Sequence, residues 1–164
     1  MTSDWRSALQ VAHEAALRWL ESVRDRPVRA DVDIAEMRRR LDAPLPESPT
    51  AAAKVIAERV ADTEGGLLAL SSPRFHGWGI GGVTPAGVAA DWLTVAWDQN
   101  PAMAGPMPAS VAVENQTRRW VLELLGLPED ASMGFVTGGQ VANLVCLAAA
   151  RSGVCAAYGY DVDA

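Results

Sequence analysis

The segment Thr137-Gly138-Gly139-Gln140-Val141-Ala142-Asn143 has the composition of an anion-binding turn. A short apolar run predicts a strand over Gly134–Thr137, and an apolar helix is predicted from Gln140 to about Ala157. The start of a helix offers unpaired amides and the positive end of the helix dipole, and glycines let the backbone approach a phosphate closely. The same pattern is also typical of a tight connection that binds nothing. The sequence has neither a Walker lysine nor a dinucleotide fingerprint, which argues against nucleotide binding.

A second candidate is the loop from Ser71 to Gly82, which combines glycines with the aromatic residues Phe75, His76 and Trp78. Exposed loops of this kind are suited to binding surfaces. Taken without further context, His76 between Phe75 and Gly77 is more typical of a packed or surface histidine than of a catalytic one. The loop is therefore a candidate binding surface without an assigned catalytic group.

Lysine chemistry in this chain depends on one residue. Of the 14 basic residues, Lys54 is the only lysine. It follows three alanines in a predicted amphipathic helix, where a solvated side chain is the simpler interpretation. His13, on the first predicted helix, is likewise interpreted as a surface residue.

Composition and charge limit the class of protein and the kinds of partner that the sequence allows. The chain has 164 residues, of which 49% are hydrophobic and 21% charged, as in one soluble globular domain. A net charge of −6 argues against a nucleic-acid partner. Cys146 and Cys155 lie in an apolar stretch without metal-ligand spacing, so they are expected to be small buried hydrophobes, and no metal site is expected. The start lacks a signal peptide and no run of about 18 apolar residues occurs, so a cytoplasmic protein without a membrane span is expected.

The apolar periodicity and the capping residues predict a mostly helical chain. Apolar residues recur at spacings of three and four from Asp4 to Arg24, and Asp33 with Glu36 resembles a capping box. A proline-rich connector over 43–49 precedes a helix that Ser48 and Pro49 are expected to start. The predicted helices are Asp4–Arg24, a short one to Leu41, Thr50–Thr63, Pro85–Trp97, Ser110–Leu125 and Gln140–Ala157.

Several motifs occur in a fixed order. They are Ser72-Pro73-Arg74-Phe75-His76-Gly77-Trp78, Asp91-Trp92-Leu93, Trp97-Asp98-Gln99-Asn100, Pro108-Ala109 with Glu114 and Trp120, Leu124-Leu125-Gly126-Leu127-Pro128, and Gly134 to Leu144 with Ala149-Ala150-Arg151. This order resembles the group II pyridoxal-phosphate-dependent amino-acid decarboxylases, which include the aromatic amino-acid and glutamate decarboxylases. The resemblance covers nearly the whole chain.

The resemblance implies an α/β fold of fold type I, like that of aspartate aminotransferase. Residues 1–83 would form an N-terminal helical dimerisation and substrate-loop segment, and residues 84–164 the beginning of the large domain that binds pyridoxal 5'-phosphate. The cofactor phosphate maps to Thr137, Gly138, Gly139 and Gln140. The substrate-binding residues implied by the resemblance are Phe75, His76, Trp78 and Asn100, the last near a stretch that relatives contribute across a dimer interface.

The sequence departs from the family pattern at two of these places. Many relatives carry serine or threonine at the position of Gln140, so the backbone amides are left here as the available phosphate ligands. Many relatives also carry histidine at the position of Ser72. Arg151 is expected to form a structural salt bridge rather than to bind the phosphate.

The family also uses a Schiff-base lysine, a carboxylate against the pyridine nitrogen and a histidine stacked on the ring, all beyond the region of resemblance. The chain is therefore expected to be an incomplete subunit without a catalytic residue, from an enzyme that is homodimeric when complete and acts on an amino acid, with aromatic substrates slightly favoured. One alternative is a non-catalytic helical interaction module. Another is an enzyme assembled from two chains.

Overall fold

The computed structural model describes residues 2–80 and 82–162. Within them the chain forms six helices joined by turns and irregular segments: α1 (Thr2–Ser22), α2 (Ile34–Leu41), α3 (Ala52–Thr63), α4 (Pro85–Trp97), α5 (Pro108–Leu125) and α6 (Gly139–Ala157). All six helices were predicted, with ends that differ by up to two residues.

Side-chain and glycine caps set several of these ends as the sequence predicted. The Asp33 carboxylate accepts a hydrogen bond of 2.9 Å from the Glu36 amide at the start of α2. Gly126 ends α5 in the left-handed conformation at φ +64°. These contacts lie within one helical turn, which is why sequence spacing could identify them.

The predicted start of α3 is wrong. The helix begins at Ala52, its N-cap is Ala51, and no side chain caps it. Ala51 is extended, with ψ at 133°, so the stiff conformation of the connector continues past Ser48. The Ser48 hydroxyl consequently lies too far ahead of the helix to reach its first free amides.

The predicted strand over 134–137 is also wrong, because this segment is irregular and the described residues contain no β-strand. A strand is stable only as part of a hydrogen-bonded ladder, and the described residues provide no partner segment. Of the expected α/β fold, the structure therefore shows the helical part.

The chain forms two compact units, residues 1–92 and 93–164. The boundary lies at Trp92, inside α4, whereas the sequence placed a domain boundary between residues 83 and 84. That division concerned the organisation of a complete subunit, and it stays a prediction.

Unit 1 is held together by α3, which packs against α1 and α2. Arg40 joins α2 to the end of α3, since it binds the Glu36 carboxylate at 2.7 Å and donates to the Glu64 carbonyl at 2.9 Å. The hydrogen bond from Arg40 also lowers the pKa of Glu36 below its usual value. Among the described residues of this unit, Val23, Ala69 and Ser72 are buried.

The apolar stripe of α1 is only partly covered. Val23 is buried and Trp19 half-buried, whereas Trp5 is 71% exposed and Leu9 is also exposed. Arg26 lies over the Trp19 ring at 3.9 Å and covers part of its face. The first two turns of α1 thus present an apolar surface.

Unit 2 has little core. Leu122 is its buried apolar residue among those described, and neither α5 nor α6 packs against another helix of this unit. Large apolar residues of both helices, such as Trp120 and Leu124 of α5 and Leu144 and Leu147 of α6, are therefore left in contact with solvent.

By length and composition, α6 could cross a membrane, which the sequence analysis did not anticipate. Its 19 residues span about 28 Å, close to the thickness of a bilayer core. The helix also carries Gln140, Asn143 and Arg151, and apolar helices of this length are common in the interior of soluble α/β proteins. The absence of a membrane span stays a prediction.

We expect the isolated chain to unfold over a broad temperature range, to bind a hydrophobic dye and to self-associate, because the apolar faces of α1, α5 and α6 lack cover. Scanning calorimetry and size-exclusion chromatography at several concentrations measure this. A sharp two-state transition of a monomer would contradict it.

Candidate functional site

The start of α6 has a backbone conformation that requires glycine. Gly138 is the N-cap residue, with φ +149° and ψ 171°, a region that residues with a Cβ atom do not adopt without strain. The first helical hydrogen bond runs from the Ala142 amide to the Gly138 carbonyl, at 3.0 Å. Gly138 therefore determines the direction from which the chain enters the helix.

The amides of the first helical turn have no acceptor. Among the described residues, none accepts a hydrogen bond from the amides of Gly139, Gln140 or Val141, and no side chain caps the helix. The first turn also lacks an acidic side chain. The partial positive charge at this helix end is therefore uncompensated within the described chain.

The space over these amides is open. A Cβ atom built on Gly138 or Gly139 would meet no other atom within 4 Å, and the φ of Gly139 is not in the left-handed region. Gly139 is thus required neither by the backbone nor by packing inside the chain. Thr137 and Gln140 are exposed on either side. Free amides, open space and flanking polar side chains fit a phosphoryl group.

The segment leading to this turn is held by Arg118 of α5. Its Nη1 donates to the carbonyl of Ala131 at 2.9 Å and to that of Glu129 at 3.4 Å. No pattern in the sequence indicated a role for Arg118. A contact between a side chain and a carbonyl 11 or 13 residues further along the chain leaves no periodic signal.

In unit 1 the structure brings two of the predicted aromatic residues together. The Phe75 and Trp78 rings meet edge to face, with centroids 5.6 Å apart. Trp78 is 75% exposed and has φ +51°, and His76 is exposed between these two residues. The loop thus presents an aromatic surface to solvent.

This loop is anchored by Ser72, which is 4% exposed. Its hydroxyl accepts from the Arg74 amide at 3.3 Å, and its carbonyl accepts from the Phe75 amide at 2.9 Å. The Arg74 guanidinium donates to the carbonyl of Arg26, which follows α1. Ser72 thus has a structural role in this loop.

Asn100 uses its side chain locally. Its Oδ1 accepts from the Ala102 amide at 3.0 Å, and its own amide donates to the Met107 sulfur at 3.1 Å. The Asn100 side-chain amide nitrogen remains as the group that could donate to a substrate. The structure places Asn100 in unit 2 with the turn, and the aromatic loop in unit 1.

Lys54 is a solvated residue, as expected. It is 67% exposed and lies 3.6 Å from Glu58, one turn further along α3.

Two expectations on α6 are wrong. Cys146 is exposed and Cys155 half-buried, because α6 does not pack on another helix of its unit. Arg151 forms no ion pair with any described residue. The part of the chain that the structure describes also contains no cluster of three metal-ligating side chains.

Comparison with known proteins agrees with the motif order. Residues 35–159 match the pyridoxal-dependent decarboxylase conserved domain. Over 132 residues, or 80% of the chain, the sequence is 25% identical to an aromatic-L-amino-acid decarboxylase of Bacillus atrophaeus. The chain spans 28% of the length of that relative. No solved structure matches the chain significantly.

We expect Gly138→Ala to distort the start of α6, since a Cβ atom at this φ costs about 1–3 kcal/mol. Hydrogen exchange of the Ala142 amide, which bonds to the Gly138 carbonyl, should accelerate about tenfold. Gly139→Ala is the matched control, because its backbone is unstrained and its Cβ has free space. Equal exchange in the two variants would refute the role of Gly138.

Proposed function

Because the chain belongs to the pyridoxal-dependent decarboxylase family, we propose that the first turn of α6 binds the phosphate of pyridoxal phosphate in an enzyme that decarboxylates an L-amino acid. The family match covers residues 35–159 of 164 and includes the whole turn. Members of this family are fold-type-I pyridoxal-phosphate enzymes.

One observation carries this proposal: three consecutive amides, from Gly139 to Val141, are unpaired among the described residues, and all three residues are exposed. A chain with a net charge of −6 repels anions in general, so an anion needs a local positive end such as this one. The phosphate ligands that we propose are the amides at Gly139 and Gln140, with the Thr137 hydroxyl and Gly138 beside them. The side chain of Gln140 is exposed and adds a donor.

When bound, pyridoxal phosphate supplies the electron sink that makes loss of carbon dioxide from an amino acid possible. The contribution of this chain is to bind and orient. A phosphate held by backbone amides fixes one end of the cofactor without a mobile side chain, which limits the positions that the ring can reach.

We propose Phe75, His76, Trp78 and Asn100 as residues that contact the substrate. The edge-to-face pair of Phe75 and Trp78 offers apolar ring surface, and His76 and the Asn100 amide offer polar groups. An aromatic amino acid is the preferred substrate in this proposal. The exposed rings support it, as does the name of the relative from Bacillus atrophaeus.

We further propose that the Schiff-base lysine comes from polypeptide outside these residues, and that residues 84–164 begin the large domain. The exposure and ion pair of Lys54 support this, as do the uncovered faces of α5 and α6. In this proposal the complete enzyme is a cytoplasmic homodimer, and residues 1–83 provide helical dimer contacts.

The proposal predicts that Gly139→Val weakens binding of pyridoxal phosphate about tenfold or more, since the branched side chain occupies the space over the free amides. Isothermal titration of the chain with pyridoxal phosphate measures the dissociation constant.

Gly153→Val is the matched control for this experiment. Gly153 lies in the same helix, and a Cβ atom there also meets nothing within 4 Å, but the residue is far along α6 from the turn. The control should bind as the wild type does. Equal affinity of the Gly139→Val variant and the wild type would remove the turn from the cofactor site.

A second candidate function is a helical interaction module, which the exposed apolar residues at the start of α1 favour. Both functions predict that borohydride reduction with pyridoxal phosphate yields no adduct specific to Lys54, because its side chain is exposed and lies beside Glu58, outside any proposed cofactor site. Mass spectrometry of wild type and Lys54→Arg compares the yields. A stoichiometric adduct that only the wild type forms would make Lys54 the Schiff-base residue and exclude the module.

A further inference from the structure

We infer that Arg118 is a positioning residue for the phosphate-binding turn, an inference that rests on the proposed function. Its Nη1 atom donates to the carbonyls of both Ala131 and Glu129. Arg118 is half-buried on α5, and its guanidinium is permanently charged, so each of these hydrogen bonds is charge-assisted.

Arg118 provides the described side-chain hydrogen bonds that tie α5 to the segment preceding α6. The helices themselves do not pack against each other. Beyond Ala131, residues 132–137 make no hydrogen bond to any described residue. The Ala131 carbonyl is therefore the last fixed point before Gly138, and six residues lie between the two.

The local structure presents these carbonyls to Arg118. The amide of Leu127 donates to the Leu122 carbonyl at 2.9 Å beyond the left-handed Gly126, and the amide of Ala131 donates to the Pro128 carbonyl at 3.0 Å. The chain thus reverses after α5 and passes back beside Arg118. The Gly126 amide also donates to the Glu123 carbonyl at 3.1 Å, so without the arginine the described reversal would be held by backbone hydrogen bonds alone.

Loss of the Arg118 hydrogen bonds would affect binding by changing how often the chain adopts the conformer that binds. If the segment from Ala131 to Gly138 is less restrained, the conformer that presents the α6 amides correctly is a smaller fraction of the ensemble. The apparent dissociation constant for a phosphate ligand rises in inverse proportion to that fraction. Arg118 would act in this way without touching the phosphate.

The experiment compares Arg118→Ala, Arg118→Lys and Arg119→Ala in the 164-residue chain. Arg119→Ala is the matched control, since Arg119 is the next residue on α5, is exposed, and donates to Gln116 of its own helix. Alanine favours helix, so none of these changes breaks α5. Two quantities are measured: the dissociation constant of pyridoxal phosphate, and hydrogen exchange of the ligand-free peptide over residues 127–132.

We expect Arg118→Ala to raise the dissociation constant about fivefold to tenfold and to accelerate exchange of the Leu127 and Ala131 amides. Arg118→Lys should retain most of the affinity for pyridoxal phosphate and most of the protection from exchange. One nitrogen of Arg118 makes both hydrogen bonds, and a lysine ammonium can replace it. Arg119→Ala should change neither.

Other outcomes overturn the inference in distinguishable ways. Weaker binding without faster exchange would mean that the charge of Arg118 acts on the ligand directly. Unchanged binding and exchange would show that the arginine positions nothing, with the proposed function intact. If the wild type fails to bind pyridoxal phosphate, the proposed function fails with it, whereas exchange in the ligand-free chain still decides whether Arg118 holds the segment.

Discussion

The first turn of any helix leaves amides without intrahelical acceptors, and in α6 nothing within the described chain satisfies them. The remaining features of the site follow from this constraint. Gly138 allows the chain to enter the helix from a direction that leaves the amides uncovered, and Gly139 keeps the space above them free. A phosphate group has the charge and the acceptors that such a helix end lacks.

The second determinant of the site is how much of each unit is packed core and how much is exposed surface. Unit 1 has a small packed centre around Val23 and Ala69, and it holds its aromatic loop through the buried Ser72. Unit 2 instead leaves the apolar residues of α5 and α6 exposed, with Leu122 as its buried apolar residue among those described. Its site is defined by backbone geometry and by the hydrogen bonds of Arg118, without support from packed layers. A site of this kind depends on whatever covers these helices for its rigidity.

The sequence predicts an interaction well when the interacting residues are close along the chain, and poorly when the fold brings them together. Asp33 at the start of α2 and Gly126 at the end of α5 act within one turn, and spacing revealed both. The glycine turn at 138 was identified from composition and motif order, but its unpaired amides required coordinates. The strand over 134–137 was predicted wrongly, because strand formation depends on a partner that local sequence does not specify. The burial of Ser72 and the hydrogen bonds of Arg118 to the carbonyls beyond α5 were not predicted, because both depend on chain brought near by the fold.

In the proposed site, the amides of Gly139 and Gln140 bind the phosphoryl group of the cofactor. Hydrogen exchange of the peptide over residues 137–142 tests it most directly, with pyridoxal phosphate compared against pyridoxal, which lacks the phosphate. The free amides exchange rapidly without ligand, since they have no hydrogen-bond acceptor. Our account predicts protection of this peptide by pyridoxal phosphate and none by pyridoxal at the same concentration. Equal protection by both compounds, or by neither, would contradict it.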